Sequence, residues 1–355
     1  MSESEAPVLE RCLSLVRLDP KVRNELILRG LNAVSEVRDA NFYYFKGEEY
    51  RMRNELCEAV EAYKQAIQIK PDYAEAYRSL GAAYYDLGRH AEALEACKQA
   101  IRIKPDYANA YVILGAAYYN LGRHAEAVKA FKRAIQIEPD YANAYSGLGA
   151  AYYDLGKYTD SVDACKQAIQ IKPDYAEAYS KLGYAYVGLG RQTEAVEALK
   201  RAIQIKPDDA VFYARLGLTY YGLEQYAEAV EAFKHAIKIK PDWTEVYNGL
   251  GAAYYHLGMH AEEVETDKQV IQIKPDDAEA YKSLGDAYYN LGSYMEAVDA
   301  CKQAIRIDPD FAGAHYSLGH MYVLMNMKGD ALDEYKILKK LDKESADKLF
   351  TLIYE

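Results

Sequence analysis

The sequence predicts an all-α fold, an α-solenoid of about nine similar helix–turn–helix units with a helical cap at each end. Three observations lead to this prediction. A 34-residue pattern recurs in phase through most of the 355 residues, and such a period is typical of helical arrays. Each copy holds two segments of helical apolar periodicity, separated by glycine and closed by proline. Small residues recur at fixed places, which lets neighbouring helices approach closely.

The repeat is clearest between residues 74–107 and 108–141, which are identical at 24 of 34 positions. The copies begin at residues 40, 74, 108, 142, 176, 210, 244, 278 and 312. They span residues 40–345, and the first and last copies diverge most from the others. Positions within a copy run from 1 to 34.

Proline and glycine mark the predicted helix ends. Proline at position 32, as in Pro71, stops the second helix of a copy. Glycine at position 15, as in Gly88, suits the left-handed end of the first helix. Only Glu224 departs from the glycine or asparagine found there. The Asp72–Glu75 spacing predicts a capping box at the start of the next first helix.

Eight positions of the copy at 74–107 resemble the tetratricopeptide repeat (TPR) family. They are Tyr77, Leu80, Gly81, Tyr84, Ala93, Cys97, Ala100 and Pro105. The resemblance covers residues 40–345. It implies a right-handed superhelix in which the first helices line a concave groove and the second helices face outward.

Both ends of the array are expected to carry helical caps. Residues 346–355 continue the pattern, with Leu349, Leu352 and Ile353 at apolar positions. They predict a final helix that shields the last repeat from solvent and closes the array. Residues 1–39 are interpreted as a diverged helical cap, and the alternative is an arm that docks on a partner.

A second face of the first helix is the candidate binding surface. At about 100° per residue, positions 2, 5, 9, 12 and 13 lie together, away from the packing positions. The TPR resemblance implies that this face lines the groove. Its candidate residues are Tyr85, Asp86, Asn109, Tyr119, Asn120, Asn143, Tyr153, Asp154, Tyr221, Tyr255, His256, Tyr289 and Asn290.

Such a groove is lined by tyrosine and mildly acidic. It suits an extended peptide or a partner helix with apolar and basic side chains, because tyrosine offers contact area, a hydroxyl and a π-face for cations. The alternative is that the tyrosine at position 12, the second of each Tyr-Tyr pair, packs between repeats. Both interpretations stay open, and both can hold for one ring.

One copy departs from the pattern in its second helix. Glu263 and Asp267 stand where most other copies have small or apolar residues, and with His260 they share one helix face. Three such side chains are candidates to hold a divalent metal. The alternative is a loosened repeat whose carboxylates turn to solvent or meet a lysine. Because burying unpaired charge is costly, we expect residues 244–277 to be the weakest part of the array.

Composition argues against several classes of function. The net charge of −11 opposes binding to nucleic acid and to anionic membranes. No apolar run approaches the roughly 20 residues of a membrane span, and the N-terminus does not resemble a secretion signal. Five cysteines without paired spacing favour reduced thiols in a cytoplasm. No catalytic or cofactor motif occurs, so neither enzyme activity nor a cofactor is expected.

The predicted function is a non-catalytic scaffold or adaptor that binds a segment of another protein in the groove. The alternative is a self-assembling homo-oligomeric scaffold, in which residues 1–39 of one molecule dock into the groove of another. Magnetosome-associated scaffolds of the TPR family provide the precedent, and the similarity to them is at the level of the family.

Overall fold

The computed structural model describes residues 39–354, and helices are the regular structure of that range. The chain divides after Ala151 into two compact units. The predicted cap at residues 1–39 lies outside the described residues except for Asp39. The helices of the first unit are α1 Ala40–Met52, α2 Leu56–Ile69, α3 Ala74–Asp86, α4 His90–Ile103, α5 Ala108–Asn120, α6 His124–Ile137 and the start of α7, Ala142–Asp154.

The second unit takes up the end of α7 and continues the alternation of first and second helices. Its helices are α8 Tyr158–Ile171, α9 Ala176–Gly188, α10 Gln192–Ile205, α11 Ala210–Gly222, α12 Tyr226–Ile239, α13 Thr244–His256, α14 His260–Ile273, α15 Ala278–Asn290, α16 Tyr294–Ile307, α17 Ala312–Leu324, α18 Lys328–Leu341 and α19 Lys343–Tyr354. Within each unit, consecutive helices pack against each other in pairs. The predicted helical array is thereby confirmed. None of the helices among residues 39–354 is both long and apolar enough to span a bilayer.

The predicted capping box at Asp72 and Glu75 is wrong. Helix α3 has Tyr73 at its N-cap, without a side-chain hydrogen bond there, because Asp72 lies in the turn that follows Pro71. Aspartate caps a first helix when it stands at position 34, one residue later than predicted. The residues that do so are Asp39, Asp209 and Asp277, each of which accepts a bond from a backbone N–H of the first turn.

The left-handed conformation at position 15 is confirmed. Gly88 has a φ of 73°, and Asn54 adopts the same region with a φ of 61°. Glu224 keeps this conformation too, with a φ of 59°. The geometry of the turn therefore overrides the preference of this side chain, and Glu224 carries the strain of a left-handed L-residue.

Glycine at position 8 brings each first helix against the side chain at position 24 of its partner. A Cβ on Gly217 would lie only 2.6 Å from the ring of Phe233. Where phenylalanine stands at position 24, the next copy also has glycine at position 6: Phe233 faces Gly249, and Phe131 faces Gly147. The small residues thus form slots for large rings of the neighbouring helix.

The cysteines at position 24 are small buried residues of the helix pairs. Cys97, Cys165 and Cys301 are fully buried, and burial raises the pKa of each thiol to about 12. A thiol that remains protonated in a closed core is unreactive. Cys57, by contrast, is exposed.

The last helix, α19, begins at Lys343, three residues before the predicted start. Its Leu349 and Ile353 are buried, and Leu349 would contact a Cβ placed on Gly319. The apolar side of α19 therefore covers the last helix pair.

Candidate functional site

The tyrosine at position 12 packs against a ring at position 17 of its own copy. In the six copies with this tyrosine, the ring centroids lie 5.2–6.0 Å apart. The pairs are Tyr85–His90, Tyr119–His124, Tyr153–Tyr158, Tyr221–Tyr226, Tyr255–His260 and Tyr289–Tyr294. The copy that interrupts the tyrosine series has Val187 and Gln192 at these two positions. Both rings are thus replaced together, as expected for a packing pair.

The same tyrosines also reach into the following copy. Asn120 Nδ2 donates a hydrogen bond of 2.9 Å to the Tyr85 hydroxyl. Tyr153 lies edge-on to Tyr184, with 5.8 Å between the ring centroids. Tyr289 approaches His320 at 5.4 Å. The second tyrosine therefore links adjacent repeats, and the packing interpretation holds.

Three rings show how this link is built. Tyr221 packs against Tyr226 with 5.4 Å between centroids, and its hydroxyl is hydrogen-bonded to His256 Nε2 at 2.9 Å. His256 in turn stacks on Tyr226, 4.5 Å away and 7° from parallel. Positions 12 and 17 of one copy and position 13 of the next thus form a closed aromatic cluster.

The candidate groove residues differ in how much surface they leave to a ligand. Tyr255 is half exposed, at 50%. The other exposed candidates are Asp86, Asn109, Asn120, Asn143, Asp154 and His256. The partly buried candidates are Tyr85, Tyr119, Tyr153, Tyr221, Tyr289 and Asn290. No candidate of this set is fully buried.

In the second unit, a cavity of about 480 Å³ opens among helices α13, α14, α15, α17 and α19. Three candidates from the sequence line it: Tyr255, Tyr289 and Asn290. Apart from Glu263, Met321 and Ser345, its lining residues stand at positions 2, 5, 6, 9, 12 and 13. Most of these lining residues belong to the face expected from helical periodicity, whereas Ser283 and Ser317 at position 6 lie outside it.

A polar network in this cavity was not predicted. Asp286 accepts a hydrogen bond from Ser317 at 3.0 Å and pairs with Lys282 at 2.7 Å. The signal was present in the sequence: Asp286 stands at position 9, where four of the nine copies have alanine. An acidic residue at a groove position, in place of a small residue, was the feature of the sequence that could have indicated this network.

The two unusual acids of α14 are buried, so the expectation that they turn to solvent or meet a lysine is wrong. Glu263 is 6% exposed and Asp267 is 4% exposed. Glu263 Oε2 accepts a hydrogen bond of 2.9 Å from His260 Nδ1. The buried Oδ2 of Asp267 has no hydrogen-bond partner within the described part of the chain. Burial raises the pKa of Asp267 to about 7 and also raises that of Glu263.

The structure brings His260 and Glu263 together but does not complete a metal site with Asp267. Among residues 39–354, no group of three or more His, Cys, Asp or Glu side chains is arranged to hold a metal ion. Asp267 instead changes how helices α13 and α14 pack against each other. A Cβ on Gly251 would have its nearest neighbour, Asp267 Oδ1, at 3.6 Å. This crossing is looser than the one between Gly217 and Phe233.

The sequence matches two family models. The model of the cilia and flagella-associated protein 70 C-terminal domain matches residues 107–318. A model described as TPR repeat matches residues 47–88 and 81–122. The comparison with curated proteins gave no match.

Several solved structures are similar to this chain. A MamA protein is 32% identical over 47% of this chain and 92% of its own, with a TM-score of 0.42. A chain of the APC/C hetero-tetramer Cut9–Hcn1 is 18% identical over 90% of this chain and 63% of its own, with a TM-score of 0.54. YrrB, described as a TPR protein with an unusual peptide-binding site, is 22% identical over 53% of this chain and 96% of its own, with a TM-score of 0.46.

The repeat pattern, the paired helices and the family matches agree. A fold of this kind is a scaffold for contacts between proteins. The chain belongs to the tetratricopeptide repeat family.

Proposed function

We propose that the chain is a non-catalytic interaction scaffold that binds an extended peptide or a partner helix along the face formed by positions 2, 5, 9, 12 and 13. The observation that carries the proposal is the cavity of about 480 Å³ lined by this face in the second unit. A volume of this size falls within the roughly 300–1,000 Å³ typical of ligand sites.

The chemistry of this face favours a ligand with apolar and basic side chains. Tyr255 presents half of its surface, and the Asp286 carboxylate lies in the cavity wall. A tyrosine face attracts cations through its ring quadrupole, and carboxylates select for lysine and arginine. The net charge of −11 adds a long-range attraction for a basic partner.

The aromatic clusters make tyrosine truncations a poor test, because Tyr85 and Tyr221 hold adjacent repeats together. A better variant changes exposed groove positions that lack a packing role. Asn109→Arg with Asn143→Arg adds two positive charges at position 2, where both side chains are exposed. The matched control, Gln68→Arg with Gln272→Arg, adds the same charge at exposed sites on second helices.

The experiment selects peptides from a random display library on the immobilised full chain and measures their affinities for both variants. We expect the groove variant to weaken a basic peptide by about tenfold, because like charges across an interface repel. The control should bind within a factor of about two of the unaltered chain. Equal affinity for all three proteins would contradict the groove proposal.

A second candidate function, self-association, is favoured by apolar rings left open at both ends of the described chain. Phe42 and Phe45 are exposed on α1. At the other end, Phe350 lies 4.6 Å from Tyr354 and 5.3 Å from Tyr335, and the first two of these rings are exposed. Exposed aromatic patches on a soluble protein commonly mark interfaces.

Light scattering decides this second candidate. The full chain, the chain shortened to residues 40–355, and a Phe42→Ser/Phe45→Ser variant are compared over a range of concentrations. Oligomers of the full chain that dissociate on truncation or substitution would support self-association. A full chain that stays monomeric would exclude it.

A further inference from the structure

We infer that the cavity lined by the copies that begin at residues 244, 278 and 312 is a specific subsite for the guanidinium of an arginine side chain. This inference rests on the proposed function, because the arginine would belong to the peptide held in the groove. It adds a location and a chemical identity to one contact of that peptide.

The walls of the cavity carry more negative than positive charge. Glu263 and Asp286 line it directly, and Lys282 is the cation paired with Asp286 at 2.7 Å. Asp286 also accepts from Ser317 at 3.0 Å, so its two oxygens are already engaged. Glu263 is therefore the lining carboxylate whose charge is not balanced by a lysine of the described chain, and it is hydrogen-bonded to His260.

A second observation, independent of the acidic lining, is the incomplete pairing of Asp267. Its Oδ2 is buried without a hydrogen-bond donor among the described residues, and the side chain is only 4% exposed. Asp267 lies against Ser283, and it interacts electrostatically with Glu263 and Asp286, all three of which line the cavity. Leaving a buried carboxylate oxygen unpaired costs about 1–3 kcal/mol or more. Asp267 does not itself line the cavity, but its negative charge adds to that of Glu263 and Asp286 in the cavity wall.

Aromatic walls distinguish arginine from other cations. Tyr255, Tyr289 and Tyr316 line the cavity, and His320 lies between two of them, 5.4 Å from Tyr289 and 6.3 Å from Tyr316. Burial lowers the pKa of His320, which favours its neutral ring. A planar guanidinium can stack on such rings while it donates several hydrogen bonds to carboxylates, whereas an ammonium is more strongly hydrated.

The departures from the repeat coincide at this site. Glu263 and Asp267 replace small or apolar residues in α14, and Asp286 replaces alanine in α15. A packing role gives no reason for three carboxylates in adjacent copies, since buried charge destabilises a core. A basic ligand gives one reason for all three.

The test uses the full chain with ¹³C-labelled methionine methyl groups, because Met321 lines the cavity. The probes are acetyl-Gly-Gly-Arg-Gly-Gly-amide and its counterparts with lysine or with citrulline, the uncharged analogue of arginine. Titrations at about pH 8 ionise Asp267, whose pKa is about 7. Met295, exposed on α16 and outside the cavity, serves as an internal reference.

The decisive variant is Glu263→Gln with Asp267→Asn, and the matched control is Glu262→Gln with Glu265→Gln. Both remove two charges from α14, but Glu262 and Glu265 are exposed and do not line this cavity. Thermal unfolding checks that both proteins fold, and removal of buried charge should not harm the first.

We expect the arginine peptide to shift the Met321 signal with saturation and to bind about tenfold tighter than the citrulline peptide. The cavity variant should lose about tenfold in affinity, and the control less than about twofold. Equal binding of arginine and citrulline, or equal losses in both variants, would overturn the subsite. Lysine binding as tight as arginine would overturn the guanidinium assignment.

The outcome is separable from that of the proposed function. Peptides that need the groove but leave Met321 unperturbed would remove the subsite alone. Peptides indifferent to the Asn109→Arg/Asn143→Arg variant, with an intact Met321 response to arginine, would keep the subsite and contradict binding along the face of the copies that begin at residues 108 and 142.

Discussion

Asp267 Oδ1 is the atom nearest to the point where a Cβ on Gly251 would stand, at 3.6 Å. This is an ordinary van der Waals distance. In the preceding copy, the corresponding Cβ on Gly217 would lie 2.6 Å from Phe233, a ring held in place by Gly249 on its other side. The same repeat position is therefore crowded in one copy and open in the next.

This difference predicts opposite effects of one substitution. Gly251→Ala should stabilise the chain by up to about 1 kcal/mol, because alanine restricts the unfolded backbone and favours helix. Gly217→Ala should destabilise it by about 1–3 kcal/mol, because Phe233 has no room to move. Chemical denaturation of both variants beside the unaltered chain checks the prediction. A loss of stability in Gly251→Ala as large as that in Gly217→Ala would contradict it.

The buried Asp267 predicts a stability that falls as the pH rises. Its pKa is raised from the ordinary 3.8 to about 7, with burial as the main cause. The folded state therefore binds the proton more tightly than the unfolded state between about pH 4 and pH 7, so the free energy of unfolding decreases across that window. The loss is complete above about pH 7 and amounts to at most about 4 kcal/mol.

Asp267→Asn isolates this contribution. The variant should unfold at a higher temperature than the unaltered chain at about pH 8 and show little gain near pH 4. Glu265→Gln, an exposed change on the same helix, should leave the pH profile unchanged. Hydrogen exchange then locates the effect, and we expect residues 244–277 to gain most protection. A uniform change along the chain would count against a local weak point.

Glu224 predicts a third stabilising substitution. It holds a φ of 59° at a position where most other copies have glycine. Glu224→Gly should therefore raise stability by about 1 kcal/mol, the cost of a left-handed L-residue. Glu228→Gly, at an exposed site inside α12, should instead lower stability by about the same amount. Thermal unfolding of the two variants shows whether the signs differ as expected.

The repeat made the fold predictable because the same local signals occur in many copies. Proline at position 32 and glycine at position 15 act through backbone geometry alone, and their effects are visible in Pro71 and Gly88 without tertiary information. The N-cap was misplaced because Asp72 and the residue after it can both start a helix. The geometry of the turn after Pro71 determines which of the two residues is the N-cap. The spacing of Asp72 and Glu75 does not predict that geometry.

The site was less predictable because its contacts join different copies. The burial of Glu263 and Asp267 follows from Val264 and Val270, which are buried on α14 and fix its rotation. Because they share this helix, Glu263 and Asp267 are buried together with the two valines, although the burial of their charge is unfavourable. The cavity beside them depends on which side chains of three copies converge, and a single helical wheel cannot show this.

The aromatic cluster of Tyr221, Tyr226 and His256 predicts that the second tyrosine stabilises the array wherever it is partly buried. Tyr221→Ala should cost about 1–3 kcal/mol, since it removes a ring packed against two others. Tyr221→Phe should cost only about 0.5–1 kcal/mol, because it loses the single hydrogen bond to His256 at a solvent-accessible site. Tyr255→Ala is the matched control and should cost less stability than Tyr221→Ala, because the Tyr255 ring is 50% exposed.

Denaturation alone can misjudge such changes, since repeat arrays unfold in parts rather than in one step. Hydrogen exchange of α11–α13 therefore accompanies it and should show increased opening in Tyr221→Ala but not in Tyr221→Phe. A double variant, Tyr221→Phe with His256→Ala, should cost less than the sum of the single changes, because both remove the same bond. Strict additivity would mean that the hydroxyl of Tyr221 does not contribute to the link between repeats, leaving it free for a ligand.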